Sequence, residues 1–304
     1  MKVYDSIEDF AKTGYESQVA LGFFDGVHLG HRAVIDEIVR DKGDRQAVVL
    51  TFRESPAVLL GKNDAVLITD NERKAELMKA AGADAVIFAD FSAIKDMEAE
   101  NFIRGVLHEK LRAKKVCCGY NYRFGKNGSG DTEILEKICG EIGIEVCVKE
   151  PVFCGGRAVS SSAIRELLQS GEIVEADRML GYAYSIGGLI GDGNHIGSTM
   201  GIPTVNLPIK AGMVVPKFGV YASRVTVDRK TYRGATNIGV HPTVGENDAP
   251  LCETFLLDYE GEALYGEYAV CEPAAFIREE KKFRSKDELT EQIKIDIDTI
   301  KAIV

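Results

Sequence analysis

The sequence predicts two successive domains: an α/β domain with a parallel sheet, and then an antiparallel all-β domain that ends in one helix. Short β-branched runs alternate with helical patterns from about residue 18 to residue 155. After Tyr184 the pattern changes to glycine-punctuated β runs without intervening helices, which favours an antiparallel barrel or sandwich. The 304 residues are enough for two separate cores, and we place the boundary between residues 183 and 184.

The first half has the alternation typical of parallel strands joined by helices. In order, its patterns are VALGFF, HRAVIDEIVRD, QAVVLTF, TDNERKAELMKAAG, ADAVIFAD, EAENFIRGVLHEKL, KVCCGY, TEILEKICGEIG and IEVCVKEPVF. Thr69 or Asp70 is suited to begin the second of these helices, and Gly82 is suited to end it. A further helical stretch, SSAIRELLQSGEIVEADRMLG, closes this half.

The second half is predicted to be a succession of strands. Its β runs are GGLIG, GVYASRVTV, YRGATNIGV, ETFLLDY and LYGEYAV, and DRK is a predicted reversal between the second and the third. The chain then ends in an amphipathic helix, SKDELTEQIKIDIDTIKAIV, where Ser285 and Glu288 have the spacing of a capping box.

The composition excludes several classes of partner. The chain has 37 basic and 47 acidic residues, a net charge of -10, so its surface should repel nucleic acid and anionic membranes. It has no apolar run of about 18 residues and no secretory pattern, which predicts a cytoplasmic protein. The seven cysteines include no C-x-x-C and are expected to be reduced packing residues. A phosphate-bearing ligand would therefore need a helix N-terminus, glycine-rich backbone or Mg²⁺.

Two of the five histidines, His28 and His31, follow the first predicted strand in LGFFDGVHLGHRAV. Their turn lies at the carboxyl edge of the sheet, where open α/β folds bind ligands. A spacing of three puts both imidazoles on one side of a helix that begins near His28, and Gly26 and Gly30 permit close approach of a ligand. The pair suits a phosphate that gains charge during transfer. Helix capping and packing remain alternatives, and zinc would find only two of its four ligands.

The segment GFFDGVHLGH resembles the H-x-G-H signature of nucleotidyltransferases, in the form found in the bifunctional riboflavin kinase/FMN adenylyltransferase family. GYNYRFGKNGSGD and SSSAIRELLQSGEIVEADRMLG are similar to later motifs of that family. The resemblance implies a nucleotidyltransferase-type domain in residues 1–183 that adenylylates FMN to FAD and releases pyrophosphate. It implies catalytic roles for His28 and His31. The ATP-binding residues would be Gly22, Phe23, Asp25, Gly26, His28, His31, Asn121, Ser161, Ser162 and Arg165.

GIPTVNL, residues 201–207, resembles the G-x-P-T-A-N motif of riboflavin kinases, and FGVYA, NIGVHPTVG and ETFLLDYEGEALYGEY follow in the family's order. The resemblance implies a riboflavin kinase-like barrel in residues 184–304 that phosphorylates riboflavin to FMN with MgATP. Glu253 would be the catalytic base, and Thr204 and Asn206 would bind Mg²⁺, for which their oxygens are suitable hard ligands. ATP and flavin would contact Gly201, Pro203, Thr204, Asn206, Asn237, Glu253 and Arg278.

Some of these residues also have purely structural interpretations. Ser161 or Ser162 could cap a helix, and Arg165 could pair with an acidic residue at the surface. Glu253 could be a solvent-facing residue at the start of a strand, and Arg278 a surface charge.

Two segments depart from the family's pattern. TFRESP has Glu54 or Ser55 where a T-F-x-P-H-P-like stretch has histidine, and GDGNHIGSTMGIPT has Ser198 where arginine is common. The first departure motivates an alternative, a riboflavin kinase with a weakened or non-catalytic adenylyltransferase domain. A non-catalytic flavin-binding regulator is another. The expected ligands are small molecules: riboflavin, FMN and FAD as substrates or products, ATP as co-substrate, and Mg²⁺. The expected state is a monomer or a weak homo-oligomer.

Overall fold

The computed structural model describes residues 1–61, 66–191, 204–240, 250–257, 259–261 and 264–304. The chain folds as two compact units, residues 1–161 and residues 162–304. Among the helices of these described ranges, none is long and apolar enough to cross a membrane.

The first unit is built on a six-stranded sheet whose described pairings are all parallel, as the alternation of strands and helices predicted. Its strands are β1 (Lys2–Tyr4), β2 (Ser17–Leu21), β3 (Gln46–Thr51), β4 (Ala85–Phe88), β5 (Ala113–Gly119) and β6 (Glu145–Lys149). They lie in the order β1-β4-β3-β2-β5-β6. The chain winds from β2 through β3 to β4 and then crosses back to the other side of β2. The crevice where such sheets bind ligands therefore lies between the ends of β2 and β5.

Helices cover both faces of this sheet, so that β2 is buried along its whole length. The helical segments are α1 (Ile7–Ala11), α2 (Leu29–Val39), α3 (Pro56–Leu59), α4 (Asn71–Ala80), α5 (Phe91–Ile94), α6 (Ala99–Asn101), a π-helical segment (Phe102–Lys110), a short 3₁₀ turn (Lys126–Gly128) and α7 (Thr132–Glu141). Asp70, and not Thr69, caps α4, because its carboxylate accepts a hydrogen bond from Arg73 N at 2.9 Å. Gly82 follows the end of α4 with a φ of 91°.

Two parts of the first unit differ from the prediction. β1 and α1 precede the region where alternation was recognised, and β1 has three residues with two of them exposed, too few to show a period. The run IEVCVKEPVF is not one strand. It forms β6 and then enters a small hairpin of β7 (Phe153–Cys154) and β8 (Arg157–Ala158).

The second unit begins with the helical stretch that the sequence places at the end of the first half. Gly171, with a φ of 86°, divides it into α8 (Ser161–Ser170) and α9 (Ile173–Leu180). From residue 162 onward this stretch belongs to the second unit, where Leu168 O accepts a hydrogen bond from Lys217 N at 3.0 Å. The boundary between residues 183 and 184 stays a prediction about which residues each activity of the protein needs.

The remaining strands form an antiparallel six-stranded barrel, the first of the two architectures that the sequence favoured. They are β9 (Ile186–Leu189), β10 (Thr204–Pro208), β11 (Gly219–Val227), β12 (Lys230–Val240), β13 (Pro250–Leu256) and β14 (Tyr268–Arg278), in the order β10-β13-β12-β11-β14-β9. Gly191 N donates a hydrogen bond to Asn206 O at 2.9 Å and so brings the end of the β9 segment to β10. This contact nearly closes the sheet.

A tight turn and a terminal helix complete the barrel. Asp228 and Arg229 join β11 to β12 with φ values of 49° and 62°, the two positive values of a type I′ hairpin turn. The helix α10 (Lys286–Lys301) begins at Ser285, whose hydroxyl accepts from Glu288 N at 3.2 Å, as predicted. The Glu288 carboxylate accepts from Arg284 N at 3.0 Å, one residue before the donor that a capping box uses. Ile300 of α10 packs on an outer patch of the sheet that includes Ala222 and Ala235. The helix therefore covers part of the barrel's outer face.

Candidate active sites

The turn between β2 and α2 has a strained backbone. Phe24 and Val27 have φ values of 56° and 36°, in a region that costs a non-glycine residue about 1–3 kcal/mol. Gly26 has a φ of 78°, and a Cβ at this position would lie 3.0 Å from the Ile68 side chain. A Cβ at Gly22 would lie 3.0 Å from the Phe24 ring. Such strain persists only where surrounding contacts fix the chain, and it is concentrated at functional sites.

Asp25 fixes the centre of this turn. Its buried carboxylate accepts hydrogen bonds from Ile68 N at 2.9 Å and Thr69 N at 3.3 Å. The Thr69 hydroxyl accepts from Gly26 N at 3.2 Å, and Ser161 Oγ donates to the Asp25 carbonyl at 2.9 Å. Asp25 therefore holds the turn to the segment before α4, and the Ser161 hydroxyl is used for this contact at the start of α8.

The two histidines lie side by side at the N-terminus of α2, as their spacing predicted. Their rings stack with centroids 3.6 Å apart, and the edge of His31 faces Phe24 at 5.1 Å. His28 also caps the helix, because its Nδ1 accepts from His31 N at 3.3 Å. A Cβ at Gly30 would lie 3.2 Å from His28 Cε1. Gly30 therefore makes room for the His28 ring itself, in addition to any ligand.

The environment of His31 favours its neutral form. Burial lowers the pKa of the His31 imidazole well below 6.5, and the neighbouring His28 and Lys74 lower it further. Its Nδ1 is buried and has no hydrogen-bond partner among the residues that the structure describes. A neutral imidazole at this position can donate one hydrogen bond to a phosphate oxygen without carrying a charge.

The other predicted ATP-binding residues are distributed over two loops and a helix. Asn121 is exposed in the turn that follows β5, where Tyr122 N donates to Gly119 O at 3.0 Å. Because β5 pairs with β2 in parallel, this turn and the histidine turn leave the sheet at the same edge. Ser162 is exposed and Arg165 is partly buried on α8, in the second unit.

The TFRESP segment follows β3, the other neighbour of β2. Thr51 ends β3, and its buried hydroxyl donates to the Phe23 carbonyl at 2.8 Å. Ser55 is buried and immediately precedes α3, where Pro56 is the first residue. The departure from the family pattern therefore lies at the same carboxyl edge as the histidine turn.

Sequence reasoning missed Lys74, whose side chain is fully buried beneath the histidine turn. Its ammonium donates to Phe23 O at 3.2 Å and to Phe52 O at 3.3 Å. Burial lowers the pKa of this lysine to about 8. The sequence did carry a signal, because Lys74 lies three and four residues before Leu77 and Met78 and therefore on the apolar face of α4.

The second candidate site is a row of polar residues across the barrel. Asn206 of β10 is directly opposite Glu253 of β13, which is opposite Asn237 of β12. Directly opposite residues of antiparallel strands project from the same face of the sheet. Thr204, two residues before Asn206, lies on that face as well. Ala235 is two residues before Asn237 on β12 and therefore lies on this face too. Because Ala235 packs against Ile300 of α10, the row lies on the outer side of the barrel.

Two members of the row are buried polar groups. Glu253 is 7 % exposed, in the middle of β13, so it is not the solvent-facing strand start that the structural interpretation required. Asn206 is 1 % exposed, and neither its Oδ1 nor its Nδ2 has a hydrogen-bond partner among the described residues. An unpaired buried amide is costly, so Asn206 is suited to a ligand that supplies its partners.

Asn237 of β12 and Arg278 of β14 extend the row across the sheet, because both are opposite Val220 of β11. Asn237 Nδ2 donates to Glu280 Oε1 at 3.1 Å. Arg278 is a part-buried residue whose Nε lies 3.0 Å from each carboxylate oxygen of Asp296 on α10, and its Nη2 lies 2.7 Å from one of them. Asp296 is buried and also accepts from Gln292 at 3.0 Å. Sequence reasoning missed Asp296, although its spacing of four before Ile300 puts it on the packed face of α10.

Several predicted residues lie outside the described part of the chain. These are Gly201 and Pro203 of the GIPTVNL motif and Ser198 in the segment before it.

Two family models match the chain in succession. The model described as FAD synthetase matches residues 11–163, and the model described as riboflavin kinase matches residues 180–304. The matches are in the order that the sequence motifs predicted.

Curated relatives match over nearly the whole length. The chain is 34% identical to a bifunctional riboflavin kinase/FMN adenylyltransferase of Listeria monocytogenes, covering 93% of this chain and 91% of that protein. Proteins of the same name from Escherichia coli and Bacillus subtilis are 33% and 34% identical, over 97% and 92% of this chain and 96% and 90% of theirs. A crystal structure titled macrolide-efflux protein from Streptococcus pneumoniae is 28% identical, with a TM-score of 0.88 and 98% coverage of both chains.

A parallel sheet with a histidine turn at its switch point, followed by a barrel with a row of buried polar residues, defines a two-part nucleotide-dependent transferase. The chain belongs to the bifunctional riboflavin kinase/FMN adenylyltransferase family. The name of the Streptococcus pneumoniae structure describes a different activity, but the overall fold of that protein is similar to this one.

Proposed function

We propose that this chain makes FAD from riboflavin in two ATP-dependent reactions. Residues 184–304 phosphorylate riboflavin to FMN, and residues 1–183 transfer an adenylyl group from ATP to FMN and release pyrophosphate. The observation that carries the proposal is the presence of both family matches in one chain, each with its own polar constellation. A cytoplasmic location and a monomeric or weakly associating state stay predictions.

In the kinase reaction, the carboxylate of Glu253 accepts the proton of the ribityl 5′-hydroxyl as that oxygen attacks the γ-phosphate of ATP. Its position directly opposite Asn206 supports this role, because the carboxylate then lies next to the residue proposed to hold Mg²⁺. Asn206 and Thr204 would hold Mg²⁺, and the unpaired Asn206 amide oxygen supports that assignment. Mg²⁺ bound there would neutralise charge on the ATP phosphates.

In the adenylyltransferase reaction, the FMN phosphate is itself the nucleophile and attacks the α-phosphorus of ATP, while pyrophosphate leaves. No covalent enzyme intermediate is needed, so His28 and His31 position the phosphates and stabilise their developing charge. The N-terminus of α2, which has 11 residues, adds the partial positive charge of its dipole. A neutral His31 contributes a hydrogen bond to this site, not a second full charge.

The assignment of the two reactions is tested by incubating purified protein with MgATP and either riboflavin or FMN, and separating the flavins by chromatography over time. We expect riboflavin to give FMN and then FAD, and FMN to give FAD. FMN without FAD would support the kinase with a non-catalytic first domain, and no conversion would support the flavin-binding regulator.

Two variants separate the sites. Glu253→Gln keeps the size of the side chain and removes the proton acceptor, so it should abolish phosphorylation of riboflavin and leave adenylylation of FMN largely intact. His28→Ala should have the reverse effect. An equal loss of both activities in a folded variant would contradict the assignment of two independent sites.

A further inference from the structure

Lys74 is a cation in a position where a cation is costly. Its side chain is fully buried, and the hydrogen-bond acceptors of its ammonium among the described residues are two main-chain carbonyls, those of Phe23 and Phe52. The face of the Phe23 ring lies 4.0 Å from the same ammonium. These hydrogen-bond acceptors are neutral, and burial lowers the pKa of the lysine although the Asp25 carboxylate favours the charged form. Because the buried charge is still costly, a purely structural explanation would favour an apolar side chain at this position on α4.

The two carbonyls belong to different elements of the site. Phe23 begins the turn that carries Asp25 and His28, whereas Phe52 directly follows β3. The ammonium therefore connects the turn to the end of the neighbouring strand. The Phe23 carbonyl accepts a second hydrogen bond, from Thr51 Oγ1 at 2.8 Å, so two donors fix one carbonyl.

The residues that follow Phe23 need such support. Phe24 and Val27 have positive φ values, which are unfavourable for non-glycine residues and most of all for the β-branched Val27. Without contacts to the rest of the protein, this segment would favour another backbone conformation. Asp25 is held to the segment before α4 by Ile68 N and Thr69 N. Lys74 lies on α4 itself. The turn is therefore held at Phe23 by a residue of α4 and at Asp25 by the residues just before that helix.

We infer that Lys74 is a positioning residue of the adenylyltransferase site: its buried ammonium holds the Phe23 carbonyl against the end of β3 and thereby fixes the turn that places His28 and His31. The inference rests on the proposed adenylyltransferase function of this unit. The residue need not touch a substrate, and it acts through the backbone of the turn.

In the part of the chain that the structure describes, two titratable groups interact with the ammonium, Asp25 and His31. Asp25 faces it from the turn and favours its charged form, while burial opposes that form. His31, stacked on His28, faces it from α2, and its own pKa is lowered in part by the ammonium. With a pKa of about 8, Lys74 is charged at neutral pH and loses its proton in mildly alkaline solution. The neutral amine keeps two N–H donors but loses the charge that strengthens both hydrogen bonds, so the support that it gives to the turn should weaken above about pH 8.

The test compares Lys74→Met with Lys79→Met. Methionine has a similar length but no charge, and Lys79 is an exposed lysine on the same helix. Riboflavin phosphorylation serves as an internal measure of the concentration of intact chain, and hydrogen exchange of the β2 and β3 peptides shows whether the first unit is folded. We expect Lys74→Met to lower kcat for FMN adenylylation by about 10- to 100-fold, the loss expected from a small misplacement of catalytic groups, with little change in KM and none in kinase activity. Lys79→Met should match the wild type.

The dependence of adenylyltransferase activity on pH is a second measurement, and a general packing defect would not change it. The adenylyltransferase activity of the wild type should decrease above about pH 8 as the ammonium loses its charge, and the activity of Lys74→Met should not change with pH in that range. If Lys74→Met does not fold, Thr51→Val removes the other donor to Phe23 O and should also lower kcat for adenylylation.

The outcomes separate this inference from the proposed function. A wild type that makes no FAD from FMN would overturn the proposed function and, with it, the inference. A wild type that makes FAD, a His28→Ala variant that does not, and a Lys74→Met variant with the wild-type rate and pH profile would overturn the inference alone. If Lys74→Met does not fold, an unchanged rate in Thr51→Val would overturn it as well.

Discussion

Glu37 provides the sharpest quantitative prediction for the first unit. It lies on α2, the helix that begins at His28, and each of its carboxylate oxygens contacts one lysine of the sheet. Oε1 lies 2.7 Å from Lys115 Nζ on β5, and Oε2 lies 2.6 Å from Lys149 Nζ on β6. The Glu37 side chain is 12% exposed, so these ion pairs are partly shielded from water.

The size of the effect follows from the pKa. The two lysines lower the pKa of Glu37 from 4.5 to about 2, and at about 1.4 kcal/mol for each pKa unit this corresponds to about 3 kcal/mol of stability at neutral pH. Because the folded-state pKa is depressed, this contribution is fully present above pH 4.5 and decreases as the pH falls toward 2. At pH 3.5 about 2 kcal/mol should remain.

The perturbation is Glu37→Gln, which resembles the protonated acid in shape. Hydrogen exchange measured by mass spectrometry on peptides of β5 and β6, in increasing denaturant, gives the free energy of opening of this region. We expect a loss of about 3 kcal/mol at pH 7 and a smaller loss at pH 3.5. Asp36→Asn, an exposed residue on the same helix, is the control and should change it by less than about 0.5 kcal/mol.

Two results would refute this reasoning. A loss below about 0.5 kcal/mol at pH 7 would mean that desolvation cancels the attraction. An equal loss at both pH values would mean that the Glu37→Gln substitution disturbs packing and that the charge is irrelevant. A double-mutant cycle with Lys115→Met then isolates the pairwise energy.

Three further predictions concern the second unit. Asp296→Asn should destabilise the second unit by about 2 kcal/mol, because the part-buried Arg278 loses its bidentate partner. It should also lower kinase activity without affecting adenylylation. An unchanged melting temperature and kinase rate would contradict this prediction. Asn206→Leu should raise the Mg²⁺ concentration needed for half-maximal kinase activity by about 10-fold or more, whereas an unchanged Mg²⁺ titration would remove Asn206 from the metal site. Replacing Asp228 and Arg229 with Asn-Gly should stabilise the hairpin by about 0.5–1 kcal/mol, since both positions have positive φ; a lower melting temperature would show that another contact dominates there.

Local patterns were sufficient for most elements of the fold. The β-branched runs of the first half became the strands β2 to β6. The runs of the inner strands were easily recognised because buried parallel strands are continuously apolar. The Ser285 cap was recognised, and Asp70 was one of two candidates for the cap of α4, because capping requires particular side chains at fixed spacings. β1 was missed because three residues are too few to show a period.

Reasoning from spacing alone placed site residues together only where they are close in sequence, and the more distant site residues came from the family resemblance. His28 and His31 share one turn of a helix, so their stacking follows from a spacing of three. The glycines around them were assigned to ligand approach, but Gly30 also leaves room for the His28 ring, a contact that requires the rotamers of both residues. Lys74 lies more than 40 residues from the turn that it supports, and no local pattern connects the two.

The sequence by itself determined the two halves of the protein, their order, the parallel and antiparallel character of their sheets and the motifs that identify the family. These properties depend on periodicity and on short contiguous segments. The tertiary structure alone decided that Asn206, Glu253 and Asn237 form one row, because strand register is set by pairing between distant segments. It also decided that two charged residues of amphipathic helices are buried. Lys74 is buried against the strained turn, and Asp296 is buried against Arg278. Burial depends on what the rest of the chain packs against a residue, and a helical pattern shows only which face is covered.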